Sequence, residues 1–258
     1  MNGRIPAIAF STFREAVRDR VLYNLIFFVL LLVASAPIFG QISVGIERIF
    51  LINLGLTAIS LFGIVIAIFI GIGLVSKEIE KKTLYTVLSR PVRRWEFIIG
   101  KYLGLAGTLA VNTLLMTVGF YIALLVLTRH LGRAEANILV AIYFIILQFL
   151  IITAITLLFS SFSTPIESAI YALAMFIVGS FAEDLRGFAA MAHGPQAWLA
   201  HAASYVVPNL SVLNVITRVS HDQLVPASLI GMNTLYALLY VTVVVSGSVM
   251  IFEFRNLK

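Results

Sequence analysis

The apolar residues of this chain fall into long runs that are separated by short polar stretches. Six such runs cover about residues 23–40, 50–75, 97–127, 138–159, 166–181 and 229–252. A helix needs roughly 20 predominantly apolar residues to cross a bilayer core that is about 30 Å thick. Strands of a membrane barrel would show shorter alternating segments of roughly ten residues. The pattern therefore predicts an all-α membrane protein with about six transmembrane helices, in a single membrane domain over residues 1–258.

The composition supports this interpretation. Hydrophobic residues make up 60% of the chain and charged residues only 12%, whereas soluble domains carry about a quarter charged residues. The chain has no cysteine, which excludes disulfides, thiolate metal sites and a catalytic cysteine.

The positive charges predict the orientation of the chain. With the N-terminus in the cytoplasm, 13 of the 18 lysines and arginines fall in inner segments. These are Arg4, Arg14, Arg18, Arg20, Lys77, Lys81, Lys82, Arg90, Arg93, Arg94, Lys101, Arg255 and Lys258. Short cytoplasmic loops carry such an excess, so both termini are expected in the cytoplasm. The net charge of +6 is then a signal of topology, and no nucleic-acid partner is predicted.

The segment before the first run has helical periodicity. Its apolar residues recur at spacings of three and four and include Ile5, Ile8, Ala9, Phe13, Ala16 and Val17. Because Arg14, Glu15 and Arg18 fall on the opposite face, residues 4–20 are expected to form an amphipathic helix in the inner membrane interface. The alternative is a simple cytoplasmic extension of the first span.

The inner loop over residues 76–95 carries a second periodic pattern. Leu84, Val87 and Leu88 recur at helical spacing, and Pro91 ends the helix that they predict. A short amphipathic helix between two long spans is suited to dock a cytoplasmic partner. The alternative is an ordinary positively charged loop, which would need no apolar stripe.

This loop resembles the first inner loop of ABC-2 type permeases. In that family an acidic pair and a threonine precede a Leu-x-x-Pro-Val-x-Arg run, and Gly-Lys opens the third span. The matching residues here are Glu78, Glu80, Thr83, Leu88, Pro91, Val92, Arg94, Gly100 and Lys101. The layout is also similar, with an interfacial N-terminal helix, six spans, short re-entrant outer helices before the last span, and a charged tail.

The resemblance implies a permease subunit of an ABC exporter in the inner membrane of a prokaryote. It implies two copies of a separate ATPase subunit that bind ATP and magnesium, and a second permease subunit that is identical or related. No cofactor, metal or catalytic residue is expected in this chain. The loop becomes the coupling helix, with an ATPase interface at Glu78, Glu80, Lys81, Thr83, Leu84, Val87, Leu88, Arg90, Pro91, Arg93 and Arg94.

The sequence contains no phosphate-binding loop. Gly100-Lys101 would need a glycine five residues earlier and a serine or threonine next. Those positions hold Trp95 and Tyr102, so ATP is expected to bind elsewhere.

The outer loop over residues 183–228 is broken by glycines and prolines. Between the breaks, residues 197–207 and 210–219 are too short to span and too apolar to lie free in water. They predict re-entrant or interfacial helices whose backbone is covered by protein. His193 and His201 are eight residues apart, a spacing that matches no metal-ligand motif.

Polar residues inside the spans are candidates for a transport pathway. They align on one face of each helix and are Asn53, Thr57 and Ser60 in the second span, and Ser168, Tyr171 and Met175 in the fifth. Hydrogen bonding between helices would explain them equally well. Gly100 and Gly104 predict close helix packing, and Thr164, Pro165 and Glu167 predict a capping box, which makes Glu167 a helix cap rather than a ligand.

Two other classes of function remain open. A self-sufficient channel or secondary carrier would show ionisable groups at span centres or a repeated half, and neither is evident. An intramembrane enzyme would need a catalytic motif at bilayer depth, and none is present.

Overall fold

The computed structural model describes residues 4–18, 47–80, 93–128, 136–191 and 206–254. The helices within these ranges are α1 (Arg4–Arg18), α2 (Glu47–Glu80), α3 (Arg94–Thr128), α4 (Ala136–Ser160), α5 (Pro165–Ser180), α6 (Ala182–Met191), α7 (Ile216–Ser220) and α8 (Ala227–Phe254), with a 3-10 turn at Ser211–Leu213. The described ranges contain no strand. The all-α prediction is confirmed.

Four helices are long and apolar enough to cross a membrane. They cover Arg48–Gly73, Arg94–Leu125, Ala136–Ser160 and Ala227–Glu253, which match the predicted second, third, fourth and sixth spans. A fifth crossing exists if α5 and α6, bent by 66° at the break between them, form one span. The predicted first span, residues 23–40, lies outside the described residues, so the total of six stays a prediction.

Helix α4 is the centre of the bundle and packs against α2, α3, α5 and α8. Its Phe144 and Phe149 are among the largest fully buried side chains of the described residues. A Cβ atom at Gly63 of α2 would lie 2.0 Å from the Phe149 ring, and one at Gly71 would lie 2.9 Å from Thr156. These contacts show that α2 and α4 run side by side in the same direction, with glycines permitting the close approach.

Helix α1 lies in a shallow groove on α3. A Cβ atom at Gly100 would lie 2.7 Å from Ile8, and one at Gly104 would lie 2.6 Å from the carbonyl oxygen of Ala9. The close packing predicted for the two glycines is therefore present, and its partner is α1. A helix does form at Arg4–Arg18, while its position in the membrane interface stays a prediction.

The two ends of the bundle differ in their loops. We call the end where α2 finishes at Glu80 and α3 begins at Arg94 the basic end, because residues 76–95 are rich in lysine and arginine. The opposite end, where α2 starts beside Arg48, is called the far end. Helix α2 has 34 residues and therefore joins the two ends as one rod about 50 Å long.

Candidate functional site: a polar cavity beside a re-entrant segment

Residues 206–220 run from the middle of the bundle to the far end. We call them the re-entrant segment for this course within the bundle, while their position in a membrane stays a prediction. Its first described residue, Val206, accepts a hydrogen bond from the Tyr240 hydroxyl with an O···O distance of 3.2 Å. Tyr240 lies about 20 Å along α8 from the first residue of that helix, near its midpoint. Farther along the segment, Val212 meets Asn233, which is closer to the far end. The segment thus runs antiparallel to α8.

Helix α8 bonds the irregular backbone of this segment through polar side chains. The backbone N–H of Asn209 donates to the Tyr236 hydroxyl at 2.7 Å. The Asn233 side-chain amide donates to the carbonyl oxygen of Val212 at 2.8 Å. Inside a membrane, backbone that is not helical must find partners in the protein, because hydrocarbon offers none. These side chains supply them.

Leu210 anchors the segment on its other side. Its side chain is fully buried, and its backbone N–H donates to the carbonyl oxygen of Gly179 at 3.0 Å. The carbonyl oxygen of Leu210 accepts from the Gln148 side-chain amide at 3.5 Å. A Cβ atom at Gly179 would lie 2.7 Å from the carbonyl oxygen of Pro208, so a glycine is needed where α5 meets the segment.

A cavity of about 140 Å³ lies between α2, α4, α5 and the re-entrant segment. Its lining residues are Thr57, Ser60, Leu61, Ile145, Gln148, Phe176, Ser180, Leu213, Asn214 and Ile216. None of these described lining residues is charged, and half of them carry a hydroxyl or amide group. The Ser60 hydroxyl donates to the Gln148 side-chain oxygen at 3.3 Å, so α2 and α4 are linked across the cavity wall.

Two of the six predicted pathway residues, Thr57 and Ser60, line this cavity. The other four lie elsewhere. The Asn53 amide donates to the carbonyl oxygen of Ile49 in its own helix at 3.1 Å. Ser168 is fully buried, and its hydroxyl oxygen has no hydrogen-bond partner among the described residues.

Tyr171 and Met175 lie elsewhere on α5, and the Tyr171 side chain is exposed. The Tyr171 ring lies 5.3 Å from the Phe159 ring, centroid to centroid. Met175 is partly buried against the main hydrophobic core. Neither contributes to the cavity.

Sequence reasoning missed three polar residues of the cavity: Gln148, Ser180 and Asn214. Gln148 had a detectable signal, because it is an amide in the middle of a run that is otherwise almost wholly apolar. Ser180 and Asn214 had none, because they meet only through the tertiary contact between α5 and the re-entrant segment.

An ion pair at the far end joins α2 to the turn that follows the re-entrant segment. The Arg48 guanidinium contacts the Asp222 carboxylate through two N···O distances of 2.7 and 3.1 Å. Asp222 has a φ angle of 56°, a left-handed conformation that aspartate tolerates better than most residues. The turn that follows α7 is thus fixed to the start of α2.

At the basic end, Arg94 joins α3 to α8. Its guanidinium donates to the carbonyl oxygens of Phe252 and Glu253 at 3.2 and 2.9 Å. The Phe97 and Phe252 rings stack beside it with centroids 5.9 Å apart. Carbonyl groups at a helix C-terminus lack intrahelical partners and carry partial negative charge, so this arginine caps α8.

Glu96 caps the N-terminus of α3, as Arg94 caps the C-terminus of α8. Its carboxylate accepts a hydrogen bond from the backbone N–H of Arg93 at 3.0 Å and lies 3.9 Å from the Arg4 guanidinium. The first turns of α1 and α3 and the last turn of α8 therefore form one connected cluster beside the loop.

The predicted ATPase interface is only partly described. Its members Lys81, Thr83, Leu84, Val87, Leu88, Arg90 and Pro91 lie outside the described residues, as does the short helix predicted there. Glu78 and Glu80 fall in the last turns of α2. The Arg93 side chain is exposed, whereas Arg94 is half-buried and bonded to α8.

The start of α5 has the predicted capping box. The Thr164 N–H donates to the Glu167 carboxylate at 3.0 Å, and the Glu167 N–H donates to the Thr164 hydroxyl at 3.5 Å. Glu167 is a helix cap, as expected. Among the described residues no group of three metal-ligating side chains comes together, while His193 and His201 lie outside them.

The chain was compared with curated proteins and with sequence models of protein families. No curated protein matches the chain. The sequence model of the family described as "ABC-2 family transporter protein" matches residues 7–257, which is nearly the whole chain. The long apolar helices and this match together identify a multi-pass membrane protein of a transport system. The chain belongs to the ABC-2 family of transporter proteins.

Proposed function

We propose that this chain is the permease subunit of an ATP-driven exporter and that a separate ATPase subunit drives it through residues 76–95. The observation that carries the proposal is the family match over residues 7–257, in a chain whose sequence has no phosphate-binding loop. The basic end faces the cytoplasm of a prokaryotic cell. Two ATPase subunits and a second permease subunit complete the transporter.

Helix α2 provides a direct mechanical path from the ATPase to the cavity. It carries Glu78 and Glu80 at the basic end, Thr57 and Ser60 in the cavity wall, and Arg48 at the far end. A continuous helix moves as one body, so a push on its cytoplasmic end displaces the cavity wall about 30 Å away.

A second path runs through α3 and α8. Arg94 ties the start of α3, directly after the loop, to the C-terminus of α8. Helix α8 in turn holds the re-entrant segment through Tyr236 and Asn233. Closure of the ATPase subunits on the loop would thus move both the α2 wall of the cavity and the helix that holds the re-entrant segment, and the cavity would open towards the far end.

The test is purification of the tagged chain from its native membranes in a mild detergent, with ATPase activity measured on the eluate. A co-purifying nucleotide-binding subunit is expected from the unmodified chain. The substitutions Glu80→Lys and Arg93→Glu are expected to abolish its recovery, because both reverse a charge within or beside the proposed interface.

Glu253→Lys is the matched control. It reverses an exposed charge at the same end of the bundle but outside the loop, so it should retain the ATPase. If the unmodified chain is recovered alone and without ATPase activity in several detergents, the coupled-transporter proposal is wrong and a self-sufficient channel or carrier becomes the better interpretation.

A further inference from the structure

The lining of the cavity differs from both a charged ion pathway and a dry void. Five of its side chains are polar and uncharged: Thr57, Ser60, Gln148, Ser180 and Asn214. We propose that the cavity binds the uncharged, hydroxyl-bearing head of an amphiphilic molecule, whose apolar chain lies along the exposed face of α2. Insofar as the bound molecule is the one that is transported, this inference rests on the proposed function.

The Gln148 amide keeps hydrogen-bonding capacity for a ligand. The Gln148 side-chain oxygen accepts from Ser60 at 3.3 Å, and its nitrogen donates to Leu210 at 3.5 Å. Both contacts are longer than the usual 2.9–3.0 Å of a protein hydrogen bond. An amide offers two donors and two acceptor positions, so a ligand hydroxyl can donate to and accept from Gln148 without displacing the re-entrant segment.

The described lining residues carry no charge, and this favours a ligand whose head group is uncharged. An ionised head in this cavity would lose its water and meet no opposite charge among these described residues, which costs several kcal/mol. A hydroxyl group can exchange its bonds to water for bonds to serine, threonine and amide side chains at little net cost. The volume of about 140 Å³ holds several water-sized groups, which suits a small polyol head.

The open side of the cavity indicates where the rest of the molecule lies. Thr57 and Asn214 are exposed at this side, and Leu61 beside them is 51% exposed. Val65 and Phe69 continue the exposed apolar face of α2 at four-residue intervals towards the basic end. A polar head in the cavity therefore places an attached apolar chain directly on this face.

The absence of cysteine in the chain makes a single introduced thiol a specific reporter. Thr57→Cys places a thiol at the cavity, and Leu235→Cys places one on the exposed surface of α8. The two positions lie at similar depths, about 15 Å and about 12 Å from the far-end start of their helices. The full chain would be reconstituted in phosphatidylcholine nanodiscs and treated with N-ethylmaleimide, first without a probe and then with monoolein or oleate.

We expect the thiol of Thr57→Cys to react about tenfold faster than that of Leu235→Cys, because thiolate forms in a hydrated cavity and not against lipid. Monoolein, which has a glycerol head, should slow the Thr57→Cys reaction about threefold when it is present at twice its Kd. Oleate has the same chain with an ionised head and should leave the rate unchanged. Neither probe should affect Leu235→Cys.

Three results would overturn the inference. Equal rates for the two variants would mean that the cavity is not hydrated. A fast Thr57→Cys reaction that monoolein does not slow would mean that the cavity holds water only. Equal slowing by oleate would mean that the head group is not recognised. Ser180→Cys, inside the same cavity, repeats the measurement should Thr57→Cys fail to insert. The chain is tested without an ATPase, so a negative result leaves the co-purification experiment unaffected.

Discussion

Helix α1 and the re-entrant segment both lie against the transmembrane bundle without crossing it, yet they are held by different forces. Helix α1 lies on Gly100 and Gly104, where its backbone approaches α3 closely and Ala16 becomes fully buried. The re-entrant segment is held by hydrogen bonds with the side chains of Gln148, Asn233 and two tyrosines of α8.

The difference follows from where each backbone finds its hydrogen bonds. A helix bonds its own interior N–H and C=O groups, so α1 requires from its partner only a surface of the right shape. The first part of the re-entrant segment is irregular, and its buried backbone groups must be bonded by other elements. The contact of α1 with α3 therefore depends on small residues, whereas the contact of the re-entrant segment with the bundle depends on polar side chains.

The largest expected effect comes from filling the groove below α1. In Gly104→Val the new Cβ atom would lie 2.6 Å from the carbonyl oxygen of Ala9 and from Thr12. Because backbone cannot yield as a flexible side chain can, we expect α1 to be displaced and the free energy of unfolding to fall by about 3 kcal/mol. Thermal unfolding in mild detergent and the rate of tryptic cleavage at Arg14 would measure both effects.

Gly107→Val is the matched control, since the same change in the same helix places its Cβ atom 3.8 Å from Phe13, an ordinary contact. Valine lowers helix propensity equally in both variants, so the difference between their free energies of unfolding measures the contact with α1. Equal losses of stability in the two variants would contradict the packing argument.

The second prediction removes one hydrogen bond from the re-entrant segment. Tyr236→Phe leaves the backbone N–H of Asn209, a buried residue, without its 2.7 Å partner. We expect a loss of about 2 kcal/mol, the usual cost of a buried unsatisfied donor. Amide hydrogen exchange of peptides from residues 206–215 should become faster, because the segment opens more often.

Tyr143→Phe provides the comparison. The Tyr143 hydroxyl pairs with the Thr234 hydroxyl at 2.7 Å, and Thr234 keeps its own bond to the carbonyl oxygen of Ile230. No backbone group loses a partner, so exchange in residues 206–215 should not change. If both tyrosine variants accelerated exchange equally, general loosening of α8 would explain the result instead.

Local patterns in the sequence were sufficient for features that depend on neighbouring residues. The lengths of four spans and the capping box at Thr164 follow from run length and from a spacing of three. Gly100 and Gly104 were recognised as a packing surface. Their partner α1 was not, because the contact joins residues almost a hundred positions apart, and the register between two helices is a tertiary property.

Arg94 shows the same limit in a charged residue. Its place in the loop pattern predicted a contact with an ATPase, which stays a prediction, and in the folded chain its guanidinium also caps α8. No local signal connects Arg94 to Glu253, since the C-terminal carbonyls that attract it are 158 and 159 residues away. The whole predicted ATPase interface stays a prediction.

The third prediction separates these two roles of Arg94. Arg94→Gln should lower stability by about 1 kcal/mol, because a charged donor to the end of α8 is lost. Arg93→Gln changes an exposed side chain and should have no effect on stability, since the bond from Arg93 to Glu96 uses the backbone. Thermal unfolding of the two variants tests this. Loss of ATPase co-purification from Arg94→Gln without any loss of stability would assign Arg94 to the interface and contradict its role as a cap of α8.

The smallest effect is expected at the far end, where an ion pair instead of buried hydrogen bonds holds the turn that follows the re-entrant segment. The Arg48 and Asp222 side chains are 29% and 49% exposed, so water and salt screen their attraction. Asp222→Asn keeps a residue that tolerates the positive φ angle but removes the charge. A double-mutant cycle with Arg48→Gln should give a coupling energy of about 0.5 kcal/mol, decreasing further as salt is raised.

A coupling above about 2 kcal/mol that did not respond to salt would mean that the pair is shielded from water in the assembled protein. The comparison with α1 would then need a third class of contact, because a desolvated charge pair would hold the segment as strongly as its backbone hydrogen bonds do.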